Sequence, residues 1–283
     1  MAAAVVEGLR TALRRWPMVL VLFLASLASG LIFTAAAWSW LSLALDKSLA
    51  TRTLLTDLDV NVFVDLFIHH GESLRMFAAT GTVLAVAFAL LGVWLNAVAV
   101  VAVREEAGWL DCMRQGVNLY TRYVRLCGLV YLATAVSGLA VFLGARALTR
   151  WVAESPSEMT YYWALLAGLG LAAVVLLFFA TVHDHARIYS AATGAGAARA
   201  FAWAVAFVSG RESRALPMAA VLLAISLLVW VVYQTVGVLI GAGAPLRLVV
   251  SLVWGQALLL LRMLLRLWSF AAAAELQHLH EWP

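Results

Sequence analysis

The residues able to do chemistry in this chain fall in small adjacent sets. All six histidines occur in pairs: His69 with His70, His183 with His185 and His278 with His280. Asp184 stands between the second pair and Glu281 follows the third. Imidazole and carboxylate are metal ligands, so a zinc site is the first chemistry to weigh. Zinc pairs on one helix sit at i and i+4, as in HExxH, whereas i and i+2 point about 200° apart. His183 and His185 therefore cannot face one ion, and the spacing argues for histidines at the membrane interface, with no metal and no cofactor.

A second set is cationic. Arg262 and Arg266, in LLLLRMLLRLW, stand at i and i+4 and share a helix face. Charge inside apolar sequence is costly unless it pairs or snorkels outward, and Asp184 is the expected counter-ion. Asp184, Arg262 and Arg266 thus read as a structural ion pair or, alternatively, as a contact for a lipid phosphate. On the structural reading, Asp184→Asn destabilises the protein and Arg266→Gln restores part of the loss. No Walker A string, GxGxxG, GxSxG or HExxH occurs, and the paired aspartates of an intramembrane protease are missing, so no catalytic residue is assigned.

The elements that must position these groups are read from hydropathy. Six apolar runs, at about 17–45, 78–103, 124–148, 161–182, 216–242 and 248–267, each supply the roughly 20 residues that cross a hydrocarbon core of about 30 Å at 1.5 Å per residue. Hydrophobic residues make up 65% of the chain and charged ones 12%, which excludes an ordinary soluble domain, about 25% charged. The expectation is an all-α, polytopic membrane bundle forming a single domain over 1–283. The net charge of +4 belongs to membrane-flanking segments, where lipid headgroups are the nearer anions, so nucleic acid is not a partner.

Thirteen of the nineteen cations fall on one side if the N-terminus is inside: Arg10, Arg14, Arg15, Arg104, Arg114, Arg122, Arg125, Arg187, Arg199, Arg211, Arg214, Arg262 and Arg266. The positive-inside rule then puts both termini in the cytoplasm of a bacterial inner membrane. Cys112 and Cys127 lie on that reducing side, so no disulfide is expected. The first apolar run is longer than the about 7 to 15 residues of a signal-peptide core, and is read as a span.

Amphipathic segments precede the first, third and fifth spans: VEGLRTALRRWPM within 1–16 and beyond, LDCMRQGVNLYTRYVRL, and ARAFAWAVAFVSGRESRALPM. Val5, Leu9, Leu13 and Trp16 form one helical face in the first, Leu110, Met113, Val117 and Tyr120 in the second, and Phe201, Val205 and Val208 in the third. Each is expected to lie in the plane of the inner interface, giving three units of in-plane helix plus hairpin. Pro17 and Pro217 stand at matching places, where a first helical turn tolerates proline. The connector 46–77 reads as one or two short helices over the outer mouth.

Two segments, DHARIYSAATGAGAARAFAWAVAFV and LLRMLLRLWSFAAAAEL, resemble an acidic-x-Ala-Arg turn with its amphipathic helix and an Arg-bearing last helix. These occur in uncharacterised bacterial six-helix inner-membrane proteins similar to the membrane domain of some glycerophosphodiester phosphodiesterases. The resemblance implies a helical bundle with in-plane helices and carries over no catalytic residue. The first functional expectation is a non-catalytic accessory or structural subunit that packs against lipids and other membrane subunits, or forms a homo-oligomer. The alternatives are a permease or transporter subunit served by a separate ATPase, and an intramembrane enzyme built on the histidines and Asp184.

Overall fold

A computed structural model describes residues 1–45, 71–105, 108–152, 158–210, 214–240 and 245–278. Among them are eight helices and no strand: α1 (Ala2–Arg14), α2 (Trp16–Leu45), α3 (Gly71–Arg104), α4 (Trp109–Val152), α5 (Glu158–Thr193), α6 (Ala197–Ser209), α7 (Ala215–Ile240) and α8 (Pro245–His278). Six of these, α2, α3, α4, α5, α7 and α8, are long and apolar enough to cross a membrane. The protein is therefore an all-α, multi-pass membrane protein of six spanning helices. Residues 46–70 of the outer connector, with His69 and His70, lie outside the described residues, as do His280 and Glu281. Residues 71–77 open α3 instead of forming part of a separate cap.

The chain divides into two units, Val21–Gly92 and Met1–Leu20 with Val93–Pro283. The smaller holds most of α2 and the first part of α3, where Trp40 stacks on Phe77 at 4.8 Å between ring centroids. The larger holds α1, the end of α3 and α4 to α8, and it contains every candidate site residue that is described.

Several helices outrun their apolar runs. α4 begins well before residue 124, α5 continues to Thr193 and α8 continues to His278. Inside the larger unit these polar extensions pack together: α4 lies on α5, α6 packs on both, α8 contacts α5 and α7, and α1 lies on α8. Small residues set the spacing. A Cβ on Gly8 would stand 2.6 Å from the Ala272 backbone nitrogen, and one on Gly116 would stand 2.5 Å from Val98 Cγ2. Close backbone approach through glycine and alanine replaces the hydrophobic drive that is weak between helices in lipid.

The amphipathic segments differ from expectation in two respects. The second is not a separate in-plane helix but the opening turns of α4, which runs unbroken from Trp109 to Val152. Arg15 interrupts the chain after α1, just ahead of Pro17, and the α6 helix stops at Gly210, well ahead of Pro217. The second segment has no such proline, and its helix propagates into the span. Furthermore, the residues that pack are mostly small, and of the expected apolar faces only Val208 is fully buried. Ala4, Gly8, Thr11 and Ala12 of α1 are buried, as are Ala200, Ala204 and Val208 of α6, whereas Leu13 and Trp16 are exposed.

Candidate functional site

The polar groups converge where α5 leaves its apolar run. From Thr181 to Ser190 nearly every side chain is buried, because α4, α6, α7 and α8 all pack on this helix. Successive residues of a helix turn by about 100°, so three neighbouring polar side chains point in three different directions.

His183 and Arg187, at i and i+4, face α4. His183 Nε2 lies 3.3 Å from the Cys127 sulfur, and Arg187 Nη2 donates to the same sulfur at 3.4 Å. Tyr123, one turn earlier on α4, donates its hydroxyl to the Arg187 carbonyl at 2.8 Å, and the guanidinium stands 5.9 Å from the Tyr123 ring centroid. Asp184 faces α8 instead. Arg266 Nη1 and Nη2 each donate to one of its carboxylate oxygens at 3.0 Å, a bidentate fork that fixes both side chains. Arg187 Nη1 completes the set, 3.8 Å from Asp184 Oδ1. The Arg266 guanidinium also covers the Phe270 ring, 4.2 Å from its centroid.

His185 faces a third way. Gln277 Nε2 donates to His185 Nδ1 at 2.8 Å and to the His185 carbonyl at 3.0 Å, and Phe207 of α6 lies 5.0 Å from the imidazole. With Nδ1 accepting, the ring proton sits on Nε2, which is buried and makes no hydrogen bond within the described residues; Gln277 Oε1 is in the same position. Beyond it, Tyr189, Trp203 and Phe207 stack in sequence, with centroid separations of 4.2 Å and 5.0 Å.

Of the three residues singled out from the sequence, the fold brings Asp184 and Arg266 together, while Arg262, one turn away, has an exposed side chain. His183 and His185, expected at the membrane interface, are enclosed by protein. Both are buried, on opposite sides of α5, because the helix they occupy is enclosed by its neighbours. Sequence reasoning missed Cys127, Tyr123, Arg187 and Gln277. The available signal was spacing: Tyr123 with Cys127 and His183 with Arg187 are two i, i+4 pairs of polar residues at the ends of apolar runs. Among the described residues no group of three or more His, Cys, Asp or Glu side chains could hold a metal ion. The Cys127–His183 contact has the donor set of a thiol–imidazole pair, but both groups are buried between two packed helices.

What this arrangement can do is fix helix register. A bidentate fork and a glutamine clamp tie α5 to α8 and a thiol contact ties it to α4, and each is broken by sliding a helix one residue. No protein-family model, curated protein or solved structure matches this chain.

Proposed function

We propose that this chain is a non-catalytic membrane scaffold, an accessory or structural subunit that packs against lipids and partner membrane subunits or against further copies of itself. One observation carries the reading: the charged groups gathered at the end of α5 are spent on one another. Asp184 is shared by Arg266 and Arg187, and Arg187 is further tied to Cys127 and held beside Tyr123. Polar groups consumed in this way define helix positions and leave no reacting atom displayed. A buried ion pair is weak evidence for net stability, and in some proteins it specifies packing instead. The spans themselves offer mostly apolar exterior, with 11% to 33% of each most apolar stretch buried. The likeness to the membrane domain of some glycerophosphodiester phosphodiesterases belongs to the same proposal.

Extraction from native membranes in mild detergent tests it. The expected result is a particle with fixed stoichiometry, containing this chain with a second membrane polypeptide or several copies of this chain. A monodisperse monomer overturns the reading, and a stoichiometric ATPase replaces it with a permease subunit.

The reading includes a bacterial inner-membrane location with both termini cytoplasmic, supported by the thirteen-to-six division of cations. Single cysteines at Pro156 or Ala244 are expected to react with an impermeant maleimide added from outside, and one at Ala195 to be protected. Labelling of Ala195 from outside reverses the topology.

A further inference from the structure

Between α4 and the start of α6 lies an open groove of ≈ 620 Å³, lined by Arg125, Gly128, Leu129 and Leu132 on one side and by Ala198 and Arg199 on the other. Its two charged side chains are both arginines, both exposed, and no carboxylate is among its lining residues. A third guanidinium stands at its edge, since Arg122 Nη1 would lie 3.6 Å from a Cβ on Gly194. Gly194 takes φ +69, a left-handed conformation that glycine adopts without strain, and so turns the chain from α5 into α6 beside α4. Thr193 Oγ1 accepts from the Ala195 amide, and the Ser190 hydroxyl donates to the Ala195 carbonyl, which hold this turn.

The rest of the groove is apolar and has a direction. Arg125 stands at the start of the third apolar run, so the cationic end lies at the depth of a headgroup. Gly128 has open space where a Cβ would be, which leaves a flat floor. Beyond it Leu129, Leu132, Val136, Leu139 and Leu143 are exposed, and their spacing of three and four keeps them on one face of α4. Cations at one end and an apolar ridge leading into the span match an amphiphile with an anionic head, not a free anion.

We propose that this groove binds an anionic phospholipid, its phosphate between Arg125 and Arg199 and one acyl chain along the Leu129–Leu143 face of α4. The amides that open α6 have no intrahelical acceptor and Gly196 gives them no side-chain cap, so they add to the attraction for a phosphate. This site is separate from the Asp184 cluster, and it holds whether or not the protein is a scaffold.

The test uses the full-length protein, washed free of lipid in detergent, with bound phosphatidylglycerol and phosphatidylcholine counted by native mass spectrometry. The wild type is expected to bind phosphatidylglycerol in preference to phosphatidylcholine. A basic residue near an anionic surface is worth about fivefold in affinity, so Arg125→Gln with Arg199→Gln should weaken phosphatidylglycerol binding about 25-fold. Gly128→Phe, which fills the floor and leaves both charges, should weaken it as well. Both arginines are exposed, so melting of the double variant should match wild type. Unchanged lipid binding in the double variant overturns the site. So does an equal loss in Arg10→Gln, which would mean attraction by the whole surface, and so does displacement of the lipid by millimolar inorganic phosphate, which would mean a free-anion site.

Discussion

Gly8→Leu is expected to detach α1 from α8. The backbone of α8 leaves no room at this point: a Cβ on Gly8 would meet the Ala272 nitrogen at 2.6 Å, its Cα at 2.7 Å and its Cβ at 3.0 Å. Two of those atoms are main chain and cannot rotate aside, so even Gly8→Ala forces the helices apart. Overpacking of a well-fitted contact costs about 1–3 kcal/mol, and the leucine belongs at the upper end or beyond. Separation also removes the hydrogen bond from Trp268 Nε1 to the Val5 carbonyl, 2.8 Å, and exposes Ala4, Thr11 and Ala12. Thermal melting in detergent should fall clearly for Gly8→Leu and less for Gly8→Ala, with faster trypsin cleavage at Arg14. Gly138→Leu, at a glycine with nothing within 4 Å of its would-be Cβ, should melt like wild type. Equal melting of Gly8→Leu and wild type would show that α1 is not held by this contact.

Why Gly8 went unnoticed in the sequence explains what hydropathy can and cannot reveal. The six spans were legible because a bilayer imposes a length and a composition that few other structures share, and each long helix covers the described part of its apolar run. Their polar extensions were not legible, since helix continues past the hydrocarbon edge wherever nothing stops it. The segment of α4 before Tyr123 reads as an amphipathic helix, and its hydropathy does not distinguish an extension from a separate element. The packing faces were inverted for a related reason. Val5, Leu9, Leu13 and Trp16 dominate any hydrophobic pattern, yet Ala4, Gly8, Thr11 and Ala12 make the contact with α8. In a membrane protein large apolar residues are free to face lipid, so the interior is marked by small residues, which carry little weight in a hydropathy pattern.

The candidate site was legible where the physics was pairwise. Asp184 needed a cation and Arg266 an anion, and charge near hydrocarbon restricts the choice of partner. Arg187 was counted as a loop cation because it follows the apolar run by a few residues. Its burial depends on α4, α6 and α8 closing around α5, which is a tertiary fact that no local window contains.

That burial changes which substitution should rescue the loss of Asp184. Asp184→Asn removes a carboxylate from two guanidinium groups that differ in environment: the Arg187 side chain is 4% exposed, whereas that of Arg266 is 39% exposed. Arg266 makes the shorter, bidentate contact, and distance alone would give it the larger share. Coulomb energy also scales inversely with dielectric, however, which changes severalfold between surface and interior and outweighs the difference between 3.0 Å and 3.8 Å. Freed of its partner, Arg266 can turn to water; Arg187 cannot, and keeps a buried charge beside Cys127 and Tyr123. Removing one member of a buried pair costs about 3–5 kcal/mol, while a half-exposed pair is worth about 0–1 kcal/mol. Asp184→Asn is therefore expected to lower stability by about 3 kcal/mol, and Arg266→Gln alone by about 1 kcal/mol, including its contact with Phe270. Adding Arg187→Gln to Asp184→Asn should recover a large part of the loss, and adding Arg266→Gln should recover little. Stability of the three single variants, including Arg187→Gln, of the two double variants and of wild type in one detergent, read as two double-mutant cycles, measures both couplings. Rescue by Arg266→Gln without rescue by Arg187→Gln would place the energy of the cluster in the visible fork and refute the argument from burial.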